Sequence, residues 1–181
     1  MRYERTVKLK NGQSCMLRNA AEGDAQEVYD IFHLTHTQTD YLLTYPDESK
    51  MTVDGERAFL KEMEASENEI ELCAAVDGKI VGTAGIQALG HTFKMKHRAE
   101  FGISVDRAYW GLGIGRALTE ACIECAKTAG FAQLELTAVA ENAAALSLYR
   151  SIGFTEFGRN PKGFRSRISG WQETVMMRME L

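Results

Sequence analysis

The sequence predicts an α/β domain, a mixed β-sheet with helices on both of its faces. Three observations carry that prediction. Short runs of period-two alternation are interleaved with segments whose apolar residues recur at i, i+3, i+4 and i+7, so strands and helices share one chain. Asn11-Gly12 and Asp77-Gly78 each separate two strand-like runs, and both pairs tolerate the positive φ of a tight reversal. The stretch Glu100–Arg116, EFGISVDRAYWGLGIGR, passes from a strand through a polar corner and a glycine-rich turn into a helix. At 181 residues the chain, 1–181, is a single domain.

Taken in order, residues 5–10 and 14–19 form a hairpin about Asn11-Gly12. Asp24 and Glu27 make a capping box for a helix whose Val28, Ile31 and Phe32 share a face, with His33 and His36 as solvated or core-edge residues. From Thr37 to Met51 the periodicity breaks, and a loop carries Tyr41, Tyr45 and Pro46 among acidic residues. Long loops in compact domains are often binding elements. A second helix, capped by Thr52 or Asp54, runs through Phe59, Leu60 and Met63 to about Ser66.

Ile70 to Val76 and Lys79 to Leu89 form the next hairpin, with Ile80, Ala84 and Ile86 facing one way. Gly82 and Gly85 indicate a bend or a close backbone approach. A loop with His91, Phe93 and His97 leads to the strand of Phe101, Ile103 and Val105. The helix behind the glycines carries the stripe Ile114, Ala117, Leu118, Ala121, Cys122 and Cys125, and Gly130 ends it. Leu134–Val139 is a strand. Asn142 caps a short helix with Ala145, Leu148, Tyr149 and Ile152 on one face, closed by Gly153. Phe154–Phe157 and Trp171–Met179 are the last strands, joined by the basic loop NPKGFRSR.

Composition narrows the function. Hydrophobic residues make up 45% and charged residues 25%, enough for a full core in a water-soluble protein. No run approaches the roughly 18 apolar residues of a membrane span. The opening MRYERTVKLKNG lacks the apolar segment of a secretory signal, so the expected location is cytoplasmic. A net charge of −4 with no basic stripe argues against nucleic acid as partner. Cys122 and Cys125 have C-x-x-C spacing, but both lie on the buried stripe, and Cys15 and Cys73 supply no second pair at metal spacing. No metal is expected.

The turn Trp110-Gly111-Leu112-Gly113-Ile114-Gly115-Arg116 places bare main-chain N–H groups at the positive end of a helix dipole, an arrangement suited to phosphate. The dinucleotide fingerprint fails because Arg116 stands where its third glycine belongs, and no nucleotide-triphosphate loop is present. A strand, a corner and a G-x-G-x-G turn opening a helix instead resemble the pyrophosphate loop of the GNAT superfamily, the acetyl-CoA-dependent N-acetyltransferases. The family signature falls on Trp110, Gly113 and Gly115, with Trp110 replacing the usual Gln or Arg. A second motif, Asn142-Ala143-Ala144-Ala145-Leu146-Ser147-Leu148-Tyr149 followed by Gly153-Phe154, matches the family pattern at every position. Two motifs in the right order, about thirty residues apart, are far more specific than either alone.

The resemblance implies a GNAT-like fold, a central mixed β-sheet of about seven strands splayed at the middle. It implies an acetyl-CoA-dependent N-acetyltransferase in which a primary amine attacks the thioester directly in a ternary complex. Ile103, Ser104, Val105, Trp110, Gly111, Leu112, Gly113, Ile114, Gly115, Arg116, Asn142 and Tyr149 are the implied cofactor-binding residues. Tyr149 is the implied acid toward the leaving thiolate, and Glu100 the implied base, with His91, His97 or no residue as rivals. Tyr41 and Tyr45, near Asp40, Asp47 and Glu48, either hold a cationic acceptor or anchor their loop. The acceptor is a small-molecule amine or a protein amine, and dimers are common among such proteins. A catalytically silent CoA sensor and a user of a longer acyl-CoA are the alternatives, and the presence of Tyr149 disfavours the sensor.

Overall fold

The computed structural model describes residues 1–181. Its strands are β1 (Glu4–Lys8), β2 (Ser14–Asn19), β3 (Ile70–Val76), β4 (Lys79–Ala88), β5 (Arg98–Val105), β6 (Gln133–Val139), β7 (Thr155–Ser166) and β8 (Gly170–Glu180). The helices are α1 (Ala25–Gln38), α2 (Val53–Ala65), α3 (Ile114–Thr128) and α4 (Ala143–Ile152). All eight strands join one open sheet in the order β1-β2-β3-β4-β5-β6-β8-β7, one more strand than the resemblance implied. Every pairing is antiparallel except β5 with β6.

Alternation along the strands sorts side chains to two faces. On one face Leu72, Ala74, Ile86, Phe101, Leu134 and Leu136 pack with Ile114, Leu118, Cys122 and Cys125 of α3 and Leu146 and Tyr149 of α4. On the other, Cys73 and Ile80 meet Val28 and Ile31 of α1 and Leu60 of α2. Ile80 therefore does not share a face with Ala84 and Ile86. Register slips between Ala74 and Ala75, which oppose Gly82 and Ile80, so Val81 is an extra residue that reverses the alternation.

Helix starts follow local chemistry with one exception. Thr52 caps α2 by accepting from the Gly55 N–H at 3.1 Å, and Asn142 caps α4 by accepting from the Ala145 N–H at 3.2 Å. The expected box of Asp24 and Glu27 does not form. Asp24 is held by both guanidinium nitrogens of Arg18 and accepts from the Ala21 N–H at 2.8 Å, while Glu27 accepts from the Ile80 N–H at 3.1 Å. The two-pronged Arg18 pair and the Ala21 N–H occupy the Asp24 carboxylate, leaving it unavailable to the helix amides.

The last hairpin also differs from expectation. NPKGFRSR is not a loop between two strands: all but its last residue, Arg167, belong to β7, which pairs with β8 from Thr155 to Ser166 across two register slips. The central seam is short. β5 and β6 pair only at Arg98–Glu100 with Gln133–Glu135. Beyond Glu100 the two strands part, each held on its far edge, β5 by β4 out to Val105 and β6 by β8 out to Val139. That is the expected splay.

Candidate functional site

A loop and a helix start lie beside this parting. The corner after β5 is pinned by Asp106, which accepts from the Ala108 N–H at 3.1 Å and from the Gln38 side chain at 2.9 Å. Trp110 donates its indole N–H to the Val105 carbonyl at 2.7 Å, with Arg107 over its ring. Gly111 and Gly113 adopt φ of 77° and 103°, left-handed values that a side chain resists, and so turn the chain into α3. The α3 ladder begins with Ala117 N–H donating to the Gly113 carbonyl at 3.0 Å, so the amides of Gly113 to Arg116 precede it.

These amides line a cavity of about 620 Å³ with Ile103, Ser104, Val105, Trp110, Gly111, Asn142 and Tyr149. Of the residues expected to bind cofactor, Leu112 alone is not in this lining; it packs against the core, and its carbonyl accepts from the Lys10 N–H at 3.1 Å. Lys10 itself lines the cavity, a cation from the β1–β2 turn that nothing in the local sequence marks. Arg116 adds a second cation and donates to the Ser151 hydroxyl at 2.6 Å.

A second cavity of about 450 Å³ adjoins it on the α1–α2 side of the sheet. Ile103, Ser104, Asn142, Ala145 and Tyr149 border both. Tyr149 is buried, with its ring edge-on to Phe101 and Phe154, and burial pushes its phenol up to about 12. It therefore remains a proton donor throughout the physiological range. An amide-lined cradle and a second chamber of mixed polarity thus share a wall that includes the protonated Tyr149 phenol.

The sequence profile described as the acetyltransferase (GNAT) family matches residues 26–154. The chain belongs to this family. It is 37% identical over 121 residues to N-alpha-acetyltransferase RimI of Mycobacterium tuberculosis, covering 67% of this chain and 72% of that one. It is 48% identical over 81 residues to the [ribosomal protein bS18]-alanine N-acetyltransferase of Escherichia coli strain K12, but spans only 54% of that protein and 45% of itself. The crystal structure of a GNAT-family acetyltransferase from Streptococcus pneumoniae superposes with a TM-score of 0.88 at 28% identity, covering 92% of this chain and 99% of that one.

In this GNAT domain Glu100 lines the second cavity, exposed on β5 beside Gln87 and Glu135. His91 and His97 line neither cavity; His97 lies at the far end of the seam with Arg98 and Glu135. His36 lines the second cavity instead. Its Nδ1 lies 2.7 Å from the Phe32 carbonyl, and burial lowers its pKa. Tyr41 borders both cavities. Tyr45 is an anchor: its hydroxyl donates to Asp40 at 2.9 Å and accepts from the Arg167 N–H at 2.9 Å. Asp40 also accepts from Ser166 and Ser169, and Arg167 pairs with Asp47 and Glu48, so the α1–α2 loop is tied to the β7–β8 tip.

Sequence reading missed one further carboxyl. Glu71 of β3 lines the second cavity, and its pKa is pushed up to about 8. Burial is the main cause, the neighbouring Glu56 carboxyl adds to it, and the Thr83 hydroxyl works the other way. A Cβ built at Gly85 would collide with its Oε2, so the carboxylate lies directly over that glycine. The close approach expected at Gly85 is thus made by a side chain. At Gly82 it is made by backbone, with a Cβ there only 2.8 Å from the Ser104 carbonyl.

Proposed function

We propose that this protein transfers an acetyl group from acetyl-CoA to a primary amine by direct attack in a ternary complex, with the α-amino group of an amino acid or polypeptide as acceptor. The observation that carries this reading is the meeting of the amide-lined cavity and the second chamber at Tyr149. Acetyl-CoA supplies an activated acyl thioester. The residues present suit its pyrophosphate: N–H groups of Gly113 to Arg116 at a helix N-terminus, flanked by Lys10 and Arg116. The unpaired inner edge of β5 from Phe101 to Val105 offers main-chain donors and acceptors to an extended arm. Tyr149 protonates the departing thiolate, whose conjugate acid near 8.5 is a far stronger acid than the buried phenol. That transfer therefore needs the concerted collapse of the intermediate rather than free proton exchange.

The acceptor class is supported by the names of the two relatives, one an N-alpha-acetyltransferase and the other a ribosomal-protein-alanine N-acetyltransferase. The test is thiol release from acetyl-CoA with an alanine-initiated peptide, free L-alanine and spermidine. Amine-dependent release, reduced about a hundredfold in Tyr149→Phe, is the expected result. Acetyl-CoA binding without turnover on any amine, together with no effect of the substitution, would make this a CoA-binding sensor instead.

A further inference from the structure

The chamber floor is built of strand rows that run across the sheet. Glu71 on β3 faces Gly85 on β4, and Gly85 faces Gly102 on β5. The rows to either side are Gln87 with Glu100 and Thr83 with Ser104. Between two rows of polar side chains, therefore, lies a row with no side chain except Glu71 at its outer end. A Cβ at Gly102 would meet nothing within 4 Å, so the space above it is open. The carboxylate over Gly85 stands about one strand spacing, ~4.8 Å, from that space.

The two carboxyl-bearing rows end differently at the seam. The Glu100 row ends where β5 is still paired, Glu100 facing Glu135. The row of Gly102 lies past the last pairing, where the strands have parted and Tyr149 borders the chamber. An amine resting above Gly102 would thus have the parted edge before it and the Glu71 carboxylate behind it.

We infer that Glu71 is the proton acceptor for the incoming amine, and that the Gly85–Gly102 row is the passage by which the amine reaches the thioester. This rests on the acetyltransferase reading and deepens it. The ammonium gives one proton to Glu71, which releases it to solvent. The freed amine attacks the thioester carbonyl, a C–N bond forms, and the C–S bond breaks. Tyr149 protonates the thiolate and recovers its proton from the new amide nitrogen. Arg18 of β2 reaches Cys73 but is held by Asp24, and the groups around Glu71 itself are Glu56 from α2, His36 from α1, Cys73 on β3, Cys122 from α3, Glu100 on β5 and Tyr149 on α4. None is a Lys or Arg, so the amine is the cation the carboxylate would pair with. Proton transfer is most efficient when donor and acceptor are matched, and the raised pKa of this carboxyl moves it toward that of an α-ammonium, near 8.

The test compares wild type, Glu71→Gln, Glu100→Gln and Gly102→Val, using whichever acceptor of the peptide, L-alanine and spermidine is turned over fastest. Acetyl-CoA binding is followed separately by calorimetry. Glu71→Gln is expected to lose about a hundredfold in kcat and the rising limb of kcat with pH, with acetyl-CoA affinity within about twofold of wild type. Gly102→Val is expected to raise KM for the amine at least tenfold. Wild-type kcat and pH profile in Glu71→Gln would overturn the inference and leave the acetyltransferase reading standing. Absence of thiol release by wild type would overturn both. Should Glu71→Gln fail to fold, Gly102→Val decides: an unchanged amine KM overturns the inference, a raised one supports it.

Discussion

Desolvation acts on two acids that line the second cavity, Tyr149 and Glu71. Tyr149 is pushed up to about 12, so kcat is not expected to fall through loss of its proton below about pH 10 in a pH–rate profile. Glu71 is pushed from the ordinary carboxyl value to about 8, and the sign of its linkage follows. Between roughly pH 4.5 and 8 the unfolded chain has released this proton while the folded chain holds it, so stability falls as pH rises through that window. Glu71→Gln removes the dependence. Its melting temperature is expected to match wild type near pH 4.5 and to exceed it by several degrees at pH 8, a difference on the order of a few kcal/mol. Equal melting curves at both pH values would contradict the raised pKa of Glu71. Tyr149 was legible in the sequence because its motif is local. Glu71 was not, because what singles it out is a pair of glycines on two other strands, brought beside it by register.

Among the elements, the turn into α3 and the α1–α2 loop make separate predictions. A Cβ at Gly113 meets no neighbour, so Gly113→Ala costs only its left-handed backbone, about 1–2 kcal/mol. Melting is expected to drop by about 2–8 °C, with weaker acetyl-CoA binding by calorimetry and an unchanged amine KM. Asp40→Ala acts on the other side. It leaves the hydroxyls of Tyr45, Ser166 and Ser169 without their shared acceptor, a loss of about 1–3 kcal/mol. Proteolysis within residues 39–51 should quicken and the amine KM rise, while acetyl-CoA affinity holds. Helix stripes, caps and hairpin turns were readable because each rests on residues close in sequence. The length of β7 was not. Pro161 and Gly163 read as loop residues, yet β7 is an edge strand with two register slips, where missing donors and small residues are tolerated.

At the scale of the molecule, the mixed sheet with helices on both faces was foreseen from element order, and the GNAT family from two motifs. The strand count and the reversal at Val81 needed the register. A ligand that binds only the folded chain stabilises it by mass action, about 2.7 kcal/mol at a hundredfold excess over Kd. Saturating acetyl-CoA is therefore expected to raise the melting temperature by about 5–11 °C for a chain of this size. No shift with acetyl-CoA or CoA would remove the basis for every role given to the amide-lined cavity.

The three-rung contact between β5 and β6 has a thermodynamic corollary. Each antiparallel half is knitted by its own neighbours, but the backbone ladder between the halves stops at Glu100 and Glu135, so cross-sheet hydrogen bonding is missing along Phe101–Val105, where the proposed chemistry would take place. A bound pantetheine arm would act as a ninth, borrowed strand. Deuterium uptake along 101–105 should then slow sharply when CoA is added, while uptake at the outer β1–β2 hairpin stays the same. In that sense the protein would finish folding only once its acyl donor has arrived.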